Sequence, residues 1–279
     1  MSEPSSILNA AAEARANEAA AAALEKLKLA RDDVPATAII FTSRLDQKVA
    51  WDEPPVGVEL MHLPGFRELQ NATYPTVPGH ARQLIYGTVD GVPILGIRGR
   101  IHLYEGEDVV TTRQMVRLMV DLLIHLGVTT IISTSVVGSC TRAVRVGQIG
   151  IATGFLRSGE RMTSIGSEGF PTLEDALDMP LVDQCLETFG FQGIPVVHYF
   201  WNSSTIEGAA QKRAAERLGA HAISCSGQPE MECVARQLKA GRKLSGLVLA
   251  CVSNGDEHSN EAVHDAVATF GKGWIDLLL

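Results

Sequence analysis

Apolar positions along the chain switch between two periods. Residues 36–41 (Ala-Thr-Ala-Ile-Ile-Phe) are an almost unbroken apolar run, the pattern of a short buried strand. Residues 84–89 and 93–97 are strand-like runs flanking Asp90-Gly91, a dipeptide that favours the φ > 0 hairpin turn. Between 109 and 126 the spacing becomes helical. Val110, Met115, Leu118, Met119, Leu122, Leu123 and Leu126 form a stripe, with Thr111 or Asp108 as cap and Gly127 as stop. Residues 128–134 predict the next strand, and 135–139 a segment turning away from it.

The same reading predicts strands at 146–152, 194–200, 222–225 and 244–253, with helices at 181–189, from Glu207 to Leu218, after Pro229, and at 259–278. Residues 155–178 have no period and read as a surface loop or lid. Residues 1–34 read as an alanine-based helical extension, with Ser5-Ser6 as cap, packed on the body as an appendage. Strands alternating with helices imply an α/β fold. The expectation is a single domain over 35–279, with a mixed, twisted central sheet flanked by helices.

Composition narrows the function. The chain has 279 residues, 46% hydrophobic and 20% charged, enough to bury a core. A net charge of −8 argues against a nucleic-acid footprint. The charged residues of the Ala-rich start argue against a membrane span there. Five cysteines, at 140, 185, 225, 233 and 251, lack metal-like spacing and fit a reducing cytoplasm.

Candidate chemistry gathers after the hairpin. If 100–104 stays extended, Arg100, His102 and Tyr104 share one face, and a guanidinium beside an imidazole suits an oxyanion such as phosphate. A solvated strand end with an ordinary Arg–Glu pair is the plainer alternative. Ser43, at the carboxyl end of the first strand, reads as an anion ligand or a turn serine.

Thr76-Val77-Pro78-Gly79-His80-Ala81, followed by Gly99-Arg100-Ile101-His102-Leu103-Tyr104-Glu105-Gly106, resembles the trimeric purine nucleoside phosphorylase family, which includes methylthioadenosine phosphorylase. Later blocks match in order: Val146-Gly147-Gln148-Ile149, Leu218-Gly219-Ala220-His221-Ala222, Ser226-Gly227-Gln228-Pro229-Glu230 and Val252-Ser253-Asn254. The resemblance spans about 36–275 and thins between 155 and 190.

The resemblance implies a phosphate site of Ser43, Arg100, His102 and Ser226, helped by the backbone at Val136, with His80 nearby. It places Tyr104 and Cys225 against the ribose and aligns Asn260 with a histidine that contacts the sugar 5′-hydroxyl. Glu207 and Asn254 match the purine-reading pair, and His102, Glu207 and Asn254 carry catalysis. The implied activity is phosphorolysis of 6-oxopurine nucleosides in purine salvage. It would use inorganic phosphate as co-substrate and no metal or organic cofactor, in a cytoplasmic homotrimer. A non-catalytic purine-binding homologue and a methylthioadenosine-type phosphorylase are the alternatives. Two loops depart from the family. Residues 42–48 lack its glycines, and 135–139 carry branched Val136 and Val137 where small residues are usual.

Overall fold

The structure, a computed structural model, describes residues 9–42, 44–69, 80–106, 108–157, 163 and 169–254. Nine strands form one sheet: β1 (Thr37–Phe41), β2 (Val56–Glu59), β3 (Gln83–Val89), β4 (Val92–Arg98), β5 (Thr130–Ser139), β6 (Ile149–Arg157), β7 (Gly193–Phe200), β8 (Ala222–Ser224) and β9 (Ser245–Asn254). Their order is β2-β3-β4-β1-β5-β8-β7-β6-β9, and β5 also pairs with β9. That extra pairing curls the far half of the sheet into a closed ring of β5, β8, β7, β6 and β9. Six helices accompany it among the described residues: α1 (Ala10–Leu27), α2 (Phe66–Leu69), α3 (Val109–Leu126), α4 (Met179–Phe189), α5 (Ala209–Arg217) and α6 (Gln228–Lys239). The mixed α/β fold is as the sequence predicts.

Local chemistry explains the agreements. Asp90 and Gly91 both take positive φ (48° and 76°), and the Asp52 carboxylate accepts from their two N–H groups at 2.9 and 3.0 Å. Asp108 caps α3 by accepting from the Val110 N–H, and Gly127 ends it in the left-handed region at φ 117°.

Several boundaries differ from the sequence reading, among them the start of β6, at Ile149 and not Val146. β5 does not turn away at Ser135 but continues to Ser139, because Val136 and Val137 pair with Cys251 and Val252 in the ladder with β9. β6 runs through Phe155 to Arg157, so the expected loop begins later, and Leu173–Ala176 forms a 3₁₀ turn within it. The cap of α1 is Asn9, whose side chain accepts from Ala11 and Ala12. Ser5-Ser6 and the expected 259–278 helix lie outside the described residues.

The alanines of α1 have a structural purpose. Ala16, Ala19, Ala20 and Ala23 are fully buried at helical spacing in the same apolar cluster as Leu118, Met119 and Leu122 of α3. Small side chains let the two helix axes approach closely. A polar network ties this layer together. Glu13 of α1 accepts from Gln237 and Arg242, both at 2.9 Å, and lies 2.9 Å from His125. Burial raises the Glu13 pKa, but the hydrogen bonds from His125, Gln237 and Arg242 outweigh it and hold the carboxyl down at about 2. Beneath it, Asp121 pairs with the fully buried Arg236 and accepts from Gln237 at 3.0 Å.

Removing Asp121 takes from the buried Arg236 guanidinium its nearest carboxylate and leaves Glu13 at 3.8 Å. Asp121→Ala is expected to cost about 3–5 kcal/mol in urea unfolding, and a loss below 1 kcal/mol would contradict this account. Inside the ring, His198 of β7 is wholly buried with Nε2 2.8 Å from the Ser224 hydroxyl. Burial, then the charge of Arg100, pushes it down to about 4 from 6.5. The unfolded chain therefore takes up this proton first on acidification. Its contribution is constant above pH 6.5 and is lost between there and about pH 4, at roughly 1.4 kcal/mol per pH unit. His198→Gln should flatten that part of the stability–pH curve, measured by denaturant melts at pH 7, 6 and 5.

Candidate active site

A cavity of about 300 Å³ opens where β1, β5, β7, β8 and β9 end. Thr42 follows β1, Trp201 follows β7, Cys225 and Ser226 follow β8, and Asn254 ends β9; all line it, with Val136, Val137 and Gly138 from β5. Strand ends in α/β sheets leave backbone and side chains unpaired by the ladder, which is why ligands collect there.

One end of the site is built on a register shift. β5 and β9 pair residue for residue up to Val137↔Val252, then skip to Gly138↔Asn254. The bulge turns Asn254 toward Gly138, and the Ser253 hydroxyl steadies it by donating to Val137 O at 3.3 Å and Asn254 Oδ1 at 3.1 Å. Glu207, just before the Gly208 cap of α5, arrives at the same spot. A Cβ on Gly138 would sit 2.2 Å from Glu207 Oε1, 3.0 Å from Lys212 Cε and 3.2 Å from Asn254 Oδ1, so the carboxylate and the amide converge on the space the absent side chain leaves. The sequence placed Glu207 in a helical first turn; it lies two residues ahead of α5 instead.

A second wall is a stack of rings. His80 and His102 lie 4.9 Å apart at 24°, and His102 and Tyr104 4.8 Å apart at 16°. Gly99 holds this wall in place. Its φ is +70°, and a Cβ there would come within 2.5 Å of His80 Cα. His102 Nδ1 lies 3.4 Å from the Cys225 carbonyl. Burial, then the neighbouring His80, Arg100 and Arg82, drives the His102 pKa well below 6.5, so its imidazole is neutral at neutral pH. Burial likewise raises the Tyr104 phenol and the Cys225 thiol, so both stay protonated.

Arg100 departs from the open oxyanion fork that extended geometry predicts. It is 1% exposed and lies behind the cavity. Its Nη1 donates to the Ser133 hydroxyl at 3.1 Å and the Glu230 carboxylate at 2.6 Å. Its Nη2 donates to the carbonyls of Ile40 and Thr134. The chain leaves extended geometry after Gly99, so Arg100 turns inward while His102 and Tyr104 remain neighbours at the cavity. Of the residues singled out from sequence, His80, His102, Tyr104, Val136, Glu207, Cys225, Ser226 and Asn254 all line the one cavity. Ser43 and Asn260 lie outside the described residues. The two valines line the cavity without filling it.

Ligand atoms of His80, His102 and Glu105 lie within 4.8 Å of one another, a spacing a metal ion could use. Glu105, however, is already paired with Arg82 and accepts from the His102 N–H at 3.0 Å. Arg82, held on the same carboxylate, competes with any cation for it. Gly138, Trp201 and Thr42 escape the sequence reading. For Gly138 the signal was present: a glycine inside a strand marks a bulge or a close approach.

A family model described as the phosphorylase superfamily matches residues 56–276. Purine nucleoside phosphorylase 1 of Bacillus subtilis is 29% identical over 212 residues, covering 72% of each chain. The Bos taurus purine nucleoside phosphorylase is 28% identical over 223 residues, 74% of this chain and 75% of its own. Among solved structures, isoform 2 of the Schistosoma mansoni enzyme with cytosine and ribose-1-phosphate superposes with TM-score 0.74 at 21% identity, covering 95% and 93% of the two chains. A Schistosoma mansoni purine nucleoside phosphorylase with inosine gives 0.73 at 19%, again over 95% and 93%. The extent of the family match, across most of the sheet and both walls of the cavity, establishes that this chain belongs to the phosphorylase superfamily.

Proposed function

We propose that the protein is a purine nucleoside phosphorylase acting on 6-oxopurine nucleosides such as inosine and guanosine. The observation that carries this reading is the meeting of Glu207 and Asn254, far apart in sequence, over Gly138 in one cavity. A 6-oxopurine presents an N1–H donor to a carboxylate and O6 and N7 acceptors to an amide, so the pair matches that base. Relatives named as purine nucleoside phosphorylases, and one solved with guanosine, support the substrate class.

In this reading phosphate lies beside His102, Ser226, Thr42 and Ser43, with His80 and the backbone at Val136 close by. Ser226 immediately precedes the Gly227 cap of α6, where the helix dipole favours negative charge. Arg100 contributes through its field from behind the wall rather than as a direct fork. Tyr104 and Cys225 pack against the ribose, with Asn260 toward its 5′ end. A phosphate oxygen forms the bond to C1′ while the C1′–N9 electron pair leaves into the purine. Asn254 stabilises the leaving base at N7, and bound phosphate stabilises the cationic sugar in the transition state. The products are free base and ribose 1-phosphate, and no metal or organic cofactor enters the scheme. We also propose a homotrimer.

The engagement of Arg100 by Glu230 favours a second reading, a protein that binds purines without turning them over. Incubation with inosine separates the two. Release of hypoxanthine that requires phosphate supports the phosphorylase; binding of hypoxanthine with no release supports the second reading; release without phosphate refutes both. Gly138→Ala, which forces Glu207 aside, and Glu207→Ala should each reduce kcat/KM for inosine by about 10- to 100-fold, the effect of leaving a polar group unpaired (1–3 kcal/mol). An unaltered kcat/KM in both variants would remove Glu207 from base recognition.

A further inference from the structure

A second concave surface neighbours the nucleoside cavity; Lys212 lines it, with Cε 3.0 Å from a Cβ built on Gly138. It is a cleft of about 600 Å³ between the turn that follows β5 and the exposed face of α5. Three exposed arginines line it, Arg142, Arg145 and Arg213, together with the buried Lys212 and a single carboxylate, Glu216. This is unusual in a chain whose net charge is −8. By contrast, Arg82 faces Glu105, Arg98 faces Asp46, Arg100 faces Glu230, Arg157 faces Glu232 and Arg236 faces Asp121. The side chains of Arg142, Arg145 and Arg213 make no hydrogen bond or ion pair with any described residue, and all three are exposed.

Clustering unmatched cations costs free energy through mutual repulsion, which a bound anion relieves. We infer that this cleft binds a small polyanion carrying two or more linked phosphates. Guanidinium forks match phosphate oxygens two at a time, and three of them exceed what one monoanion needs. The limited extent of the cleft and the chain's overall negative charge select a small molecule over a nucleic-acid strand. Val144 and Val146 add apolar surface at the same cleft, able to pack against a sugar or base. The occupant is inorganic pyrophosphate or a nucleoside 5′-triphosphate, which share the linked-phosphate chemistry.

None of the three arginines lines the nucleoside cavity. Titration calorimetry of the full-length chain with pyrophosphate, and separately with adenosine 5′-triphosphate, tests it. Binding is expected to weaken at least tenfold in the Arg142→Gln/Arg145→Gln/Arg213→Gln variant and when salt is raised from 0.05 to 0.3 M. His102→Gln, which alters the nucleoside cavity, should leave it unchanged. All three substitutions are at exposed positions, and a thermal melt checks that the variant folds. Tighter binding of the triphosphate assigns the nucleotide; equal binding assigns the phosphate chain alone. The inference is overturned if neither probe binds, if the triple variant binds as tightly as the parent, or if His102→Gln abolishes binding. It is also overturned if the triple variant changes the oligomeric state without weakening either probe, since the arginines then meet another copy of the chain. None of these outcomes depends on the nucleoside reaction.

Discussion

The pairing of β5 with β9 is the constraint on which the rest depends. These two ten-residue strands run parallel through the centre of the molecule, in register from Thr130↔Ser245 to Val137↔Val252. Their pairing closes the far half of the sheet into a ring, and β6 and β7 follow from it. The single register shift at its end sets Asn254 against Gly138. A ladder without the bulge would present the alternate residue, since a one-residue slip turns side chains to the other face. On the proposed reading, the geometry of base recognition is thus a property of the sheet, and the loop carrying Glu207 has only to reach it.

Charge inside the molecule is organised on the same principle of pairing. Arg100 with Glu230, Arg82 with Glu105 and Arg236 with Asp121 are all within a few percent of complete burial. Each joins segments distant in sequence, and each is costly to break singly. Their fields reach outward. Arg100 and Arg82 both help to keep His102 neutral, and Arg100 does the same for His198. The wall built on His102 therefore meets its ligand with a neutral imidazole, backed by charge that is already balanced.

What the sequence made legible was what is local or periodic. Asp90-Gly91 fixes its turn by its own backbone preferences, and the α3 stripe fixes its buried face. Eight of the expected site residues could be assembled because the family motifs recur in order, not because any one of them is distinctive. The misses are non-local. Val136 and Val137 read as the start of a turn until Cys251 and Val252, more than a hundred positions away, are seen to pair with them. Arg100 reads as an open anion fork until Glu230, 130 residues on, is placed against it. Sequence spacing carries no information about which distant carboxylate a buried cation will find.

The engagement of Arg100 also changes how the phosphate half of the site has to work. For the guanidinium to grip phosphate directly, Nη1 would have to give up Glu230 and Nη2 the Thr134 carbonyl. Glu230 is 1% exposed, so releasing it leaves a buried carboxylate without its cation, a cost of several kcal/mol. A phosphate that instead meets hydroxyls, a neutral imidazole and the start of α6 gains roughly 0.5–3 kcal/mol from each hydrogen bond and leaves the buried pair intact. The two anions are competitors for one cation, and the interior one is covalently tethered beside it. On the proposed reading, the burden of phosphate binding therefore falls on neutral donors.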